Sequence, residues 1–148
     1  MSLSHGDQSK FSKKNKPLSP EMALDFLYQE GDETYDEFTE FIPCFRLPDT
    51  KKFHAVVYWQ GDMLKYYFHL AIFDITGEIQ EKTQLAGTKV EGDMLDVIVA
   101  NIKSSWEIEL LSGKVSVQET NLSKATLLPT SEVSIDQSSG KVTIKPKK

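Results

Sequence analysis

The sequence predicts a mainly β fold, α+β with minor α: an antiparallel β-meander forming a partly closed barrel or sandwich, with one or two short N-terminal helices. Three observations predict it. From Phe53 onward about eight segments of period-two hydrophobicity follow one another at roughly the 8 to 12 residue spacing of a meander. Glycine-containing turn signals separate them, as at Gly77, Gly92 and Gly140. Helical spacing is confined to residues before Pro43, so no strand-helix-strand unit is present and a parallel sheet is not expected.

Residues 1–17 are polar and basic, with Lys10, Lys13, Lys14 and Lys16 around a lone Phe11. So few apolar groups cannot offset the entropy of ordering, and a flexible tail is expected there. A single globular domain is expected over residues 18–145, followed by a basic end at 146–148. The domain opens on a helix signal: Ser19 can cap, Pro20 suits the first helical position, and Glu21 lies near the positive end of the dipole. Met22, Ala23, Phe26 and Leu27 fall on one stripe, with Gly31 placed to close the helix. Asp32 to Ile42 reads as a second short helix, with Tyr35, Phe38 and Phe41 or Ile42 at helical spacing. Pro43 and Pro48 then bound a short extended segment.

The stretch Phe53 to Leu70 predicts a hairpin turning at Gly61-Asp62. In that register Phe53 faces Leu70, Ala55 faces Phe68, Val57 faces Tyr66 and Trp59 faces Leu64, an apolar face that belongs in a core. The other face pairs His54 with His69, Val56 with Tyr67, Tyr58 with Lys65 and Gln60 with Met63, a mixed surface. A loop at Asp74 to Gly77 leads to a polar strand, Glu78 to Leu85, with Ala86 to Lys89 as a connection. Met94 to Ile102 and Trp106 to Leu111 are strands. Ser112-Gly113 reads as a turn into Lys114 to Gln118, and the last hairpin turns at 137–140. The phrases ITGEI, LSGKV and SSGKV share hairpin chemistry, but glycine intervals of 36 and 27 residues are unequal and argue against a sequence repeat.

With 148 residues, 39% hydrophobic and 26% charged, the chain reads as one ordinary domain that needs no disulfide or metal for stability. A net charge of -5 argues against nucleic acid as the partner. The single cysteine, Cys44, excludes an intramolecular disulfide and a cysteine-based zinc site and fits a reducing compartment. With no apolar run of membrane-spanning length, a cytoplasmic protein without membrane contact is expected.

The sequence carries no nucleophile elbow, dinucleotide fingerprint, phosphate loop or zinc-protease motif. Cys44, between Pro43 and Phe45, has no base beside it and reads as inert core. The sharpest constellation is His54 and His69 as cross-strand neighbours, with Tyr67, Tyr58 and Lys65 on the same face: a candidate ligand site at a barrel mouth. A third metal ligand is missing from nearby sequence, so neither metal nor cofactor is expected. The second candidate is acidic. Glu30, Asp32, Glu33, Asp36, Glu37 and Glu40 surround Tyr35 and Phe38 but lack the ligand order of an EF-hand. They suit steering of a basic protein partner, with Asp32, Glu33, Asp36 and Glu37 setting the encounter and Tyr35 or Phe38 the apolar anchor. The leading functional expectation is a noncatalytic interaction module, of which an inhibitor or immunity-type protein is one form, ahead of a small-ligand-binding β-barrel and of an enzyme.

Overall fold

The computed structural model describes residues 2–29, 32, 39–48, 50–62, 65–104, 106–119, 121 and 124–146, and of His5 and Pro20 the backbone alone. Among the described residues nine strands form one antiparallel sheet. In chain order they are β1 (Ser2–Leu3), β2 (Glu40–Arg46), β3 (His54–Gly61), β4 (Lys65–Phe73), β5 (Ile79–Glu91), β6 (Met94–Ile102), β7 (Glu107–Ser116), β8 (Leu128–Ile135) and β9 (Val142–Pro146). From β2 to β9 each strand pairs with its sequence neighbour, the meander that the alternation predicts. The outer strands β2 and β9 do not pair with each other, so the sheet curls without closing into a barrel. Helices α1 (Gln8–Lys14) and α2 (Pro20–Phe26) precede it.

The bend of the sheet originates in β5. Gly87 pairs with Tyr67 and Gln84 with His69, which leaves Leu85 and Ala86 together opposite Phe68. This is a bulge, and both extra-facing residues are buried in the main core. The β5–β6 ladder runs from Glu91↔Met94 only as far as Gly87↔Ile98. Beyond it β5 leaves β6, and β1 takes the vacated edge, Ser2 opposite Asn101 and Leu3 opposite Ala100. The main core fills the space inside the curl: Ile42, Phe53, Val57, Trp59, Phe68, Leu70 and Ile72 from the first half of the sheet meet Ile108, Leu110, Val133 and Ile135 from the second.

This placement corrects the expectation of a flexible tail over residues 1–17. Leu3 is 1% exposed within the core, and Phe11 packs on Phe45 and Phe68 at centroid separations of 5.6 and 6.0 Å. Composition misled because two apolar side chains suffice when each lands in a prepared gap. Asn15 closes α1 and donates its side-chain N–H to the carbonyls of Pro43 (2.7 Å) and Cys44 (3.2 Å), at the register shift in β2. The N-terminal segment thereby covers an edge strand whose backbone would otherwise be open to pairing.

The hairpin is correct in its faces and wrong in its register. Trp59 pairs with Phe68, Val57 with Leu70 and Ala55 with Ile72, a slide of four residues from the expected pairing. An even slide keeps every side chain on its face. Asp62 N–H donates to Lys65 C=O at 2.8 Å, so the chain turns beyond Gly61-Asp62; Met63 and Leu64 lie outside the described residues. Gly61 is a ladder residue opposite Tyr66. A Cβ there would stand 3.3 Å from Trp59 Nε1, and its absence makes room for the stacked Trp59 and Tyr66 rings.

Two further turn readings are corrected for the same reason. Gly113 pairs with Val97 inside a continuous β7, and a Cβ there would come within 2.5 Å of the Thr126 carbonyl oxygen. Ala86 to Lys89 is part of β5, not a connection. The expected second helix ends differently too: Glu40, Phe41 and Ile42 belong to β2, while residues 33–38 lie outside the described residues. Two of the glycine loops are organised by an aspartate. The Asp74 carboxylate accepts from the backbone N–H groups of Thr76 and Glu78, both at 3.0 Å. The Asp136 carboxylate accepts likewise from Ser138 (2.9 Å) and Ser139 (3.0 Å).

Candidate functional site

Helix α2 forms as its sequence dictates. The Ser19 hydroxyl accepts from Met22 N–H at 3.2 Å, and Pro20 starts the helix. Its buried side is narrower than the expected stripe. Ala23 and Leu27 pack with Phe41, Tyr58 and Ala71 on the outer face of β2–β4, joined by Leu18, Phe73 and Ile79. The segment after α2 is tied to β5, where the Gln29 side chain donates to the Gln80 carbonyl at 3.0 Å and Lys82 forms an ion pair and hydrogen bond with Asp32. Asp32 also accepts from Gln29 N–H at 2.9 Å.

The rest of α2 faces solvent. Met22, Leu24, Phe26 and Tyr28 are 36 to 52% exposed, four large apolar groups within seven residues of chain. Exposed apolar groups of this size make α2 and the residues just after it a candidate contact surface. The surrounding stretch of sequence is acidic. Between Leu18 and Phe45 the sequence holds eight carboxylates and no Lys, Arg or His. Of the acidic candidates, Asp32 is part of the anchor just described, whereas Glu33, Tyr35, Asp36, Glu37 and Phe38 lie outside the described residues.

The expected histidine pair is not formed. His54 faces Phe73 at the start of β3, and His69 faces Tyr58. The Tyr58 and His69 rings stack at 5.2 Å with 15° between planes. Tyr58 is buried under α2, so the face expected to be a mixed surface is largely a second core. Burial pushes the His69 imidazole down to about 4, which keeps it neutral. Neither histidine can serve the pair chemistry that adjacency suggested. Among the described residues no cluster of three or more His, Cys, Asp or Glu is placed to hold a metal.

Tyr67 and Lys65 occupy a different setting. Tyr67 lies on a lateral row across the sheet: Tyr67, Gly87, Ile98, Ser112. The next row outward carries Lys65, Lys89, Asp96 and Lys114. Between the rows is a cavity of about 310 Å³ lined by Tyr67, Asp96, Ile98, Ser112, Gly113 and Lys114. Tyr67 is 5% exposed, and burial first, then the Asp96 charge, raises its phenol against the opposing hydrogen bond from Gln84. Lys114 Nζ stands 3.5 Å from Asp96 Oδ1, and Lys89 stands 3.5 Å from Glu91. Asp96, Ser112 and Lys114 are residues that sequence reading missed. Asp96 interrupts an apolar strand, and that interruption was the available signal.

Cys44 is consistent with an inert thiol: its Sγ–H donates to Ile42 C=O at 3.3 Å, and burial pushes its thiol up to about 12. Among the described residues no helix is long and apolar enough to cross a membrane. No family model, curated protein or solved structure matches the chain.

Proposed function

We propose that the protein is a noncatalytic interaction module, of inhibitor or immunity type, that binds a basic protein partner through the outward face of α2. The observation that carries this reading is the exposed set Met22, Leu24 and Phe26 on α2, with Tyr28 just beyond its end, on a segment fixed to the sheet by Ala23 and Leu27. A rigid helix presenting apolar anchors suits an apolar groove on the partner. The carboxylates from Glu21 to Glu40, with Asp32, Glu33, Asp36 and Glu37 among them, support a basic rim on that groove and fast, salt-sensitive encounter. Tyr35 and Phe38 are the further apolar anchors that the sequence offers in the same acidic stretch. The single cysteine supports a reducing, cytoplasmic setting.

The test is capture from native lysate by wild type, by Phe26→Ser and by Glu21→Gln/Asp25→Asn. A basic protein is expected on the wild type, lost with Phe26→Ser, and weakened by salt and by the double variant. Capture indifferent to all three changes would remove α2 as the contact surface.

A further inference from the structure

We infer that the cavity bounded by Tyr67, Asp96, Ile98 and Lys114 binds a neutral vicinal diol, the group that sugars and polyols present. The volume of about 310 Å³ is at the small end of ligand pockets and suits one ring-sized molecule. Gly87, between Tyr67 and Ile98 on the same row, lets the Tyr67 ring lie close against β5, with Cδ1 2.4 Å from where a Cβ would stand.

Its polar wall is incomplete in a specific way. Asp96 Oδ1 is shielded from solvent and accepts no hydrogen bond among the described residues. Lys114 Nζ, 3.5 Å away, supplies charge without a hydrogen bond. A desolvated carboxylate oxygen in that position calls for a donor, and a ligand hydroxyl or N–H would supply it.

Charge narrows the choice. Lys114 lines the cavity and pairs with Asp96, so a cationic ligand meets an ammonium group where it would need the carboxylate. A simple anion meets Asp96 with no hydrogen to give it. A neutral group that both donates and accepts fits: one hydroxyl donates to Asp96 Oδ1, and its neighbour accepts from Lys114 Nζ. Tyr67 and Ile98 offer an apolar floor for the C–H face of such a molecule. Burial keeps the Tyr67 phenol protonated, so it repels no hydroxyl.

The experiment is a titration followed by ¹⁵N–¹H NMR on the full chain. The probes are methyl β-D-glucopyranoside, methyl β-D-galactopyranoside and mannitol, with cyclohexanol, acetate and methylammonium for comparison. At least one diol is expected to shift the amides of Tyr67, Gly87, Asp96 and Ile98 with a dissociation constant of about 1 mM, given the efficiency of ligands this small. Asp96→Asn should weaken it by about tenfold or more, the loss of a charge-assisted hydrogen bond. Lys114→Met should weaken it as well, which gives a second reading if one variant folds poorly. No perturbation by any of the three diols overturns the inference. So does tighter binding of acetate, methylammonium or cyclohexanol at the same amides, or unchanged affinity in both variants.

Discussion

Gly87→Ala tests the corner on which the curl of the sheet depends. A Cβ at position 87 would lie 2.0 Å from the Tyr66 carbonyl oxygen, 2.4 Å from Tyr67 Cδ1 and 2.7 Å from Tyr67 Cα. Ordinary contact needs well over 3 Å, so β4 and β5 must separate by roughly 1 Å where the ladder and the bulge meet. Overpacking of that kind costs about 1 to 3 kcal/mol when side chains can yield. Here two of the three clashes are with backbone, so we expect about 3 kcal/mol. For a domain of this size that is a fall in Tm of about 6 to 12 °C. Urea titration should show a lower midpoint at unchanged slope. Gly6→Ala is the control, since nothing lies within 4 Å of a Cβ there, and its change should stay within about 0.5 kcal/mol. Adding Tyr67→Ala removes the ring but leaves the Tyr66 carbonyl in place. A Gly87→Ala cost below about 0.5 kcal/mol, or its full relief by Tyr67→Ala, would refute the backbone argument.

Leu3→Ala should destabilise by about 2 to 5 kcal/mol, as for a leucine lost from a core; a chain equally stable in urea would mean that the N-terminal strand is dispensable. Phe68→Ala should cost about 3 to 5 kcal/mol, and Tyr67→Ala should fall nearer to it than strict alternation implies, because Tyr67 is also buried. His69 should stay neutral by NMR until the pH approaches 4. Its ordinary value of 6.5 is restored on unfolding, so between pH 6.5 and 4 only the unfolded chain takes up the proton. Its contribution is therefore fully present above pH 6.5 and declines as pH falls to 4, and His69→Gln should remove that part of the slope. Cys44 should react with iodoacetamide far more slowly in the folded chain than in urea at pH 8; equal rates would contradict its burial.

The fold was legible because period-two alternation survives errors of register. Ala55, Val57, Trp59, Phe68, Leu70 and Ile72 are assigned to the core face under either pairing, and the slide of four residues moved none of them across. What failed was the meaning of glycine. Gly61, Gly87 and Gly113 all sit beside polar residues and resemble turns, yet each lies within a strand where an indole, a tyrosine or a carbonyl presses against its backbone. Gly77 and Gly140 do mark loops, with φ of 97° and 76°, and in both an aspartate three or four residues earlier gathers the backbone N–H groups. At these two loops the available signal was that aspartate, since an Asx-type turn needs an acceptor and a close-packed strand glycine does not.

The candidate sites were less legible because each depends on contacts between distant segments. Met22 and Phe26 share helical spacing with Ala23 and Leu27, and periodicity alone assigns all four to one buried stripe. The sheet accepts only Ala23 and Leu27, because the outer face of β3 and β4 already carries the Tyr58 and His69 rings in a stack. Those rings fill the volume that a larger helix face would need. The helix meets an aromatic layer where Tyr58 stands opposite His69, and Met22 and Phe26 are left outward. A Tyr58→Ala variant should open that layer, and reduced exposure of Phe26 to limited chymotryptic cleavage would show the helix settling inward. Unchanged cleavage at Phe26 would mean that its exposure is set within α2 itself and not by the sheet beneath it.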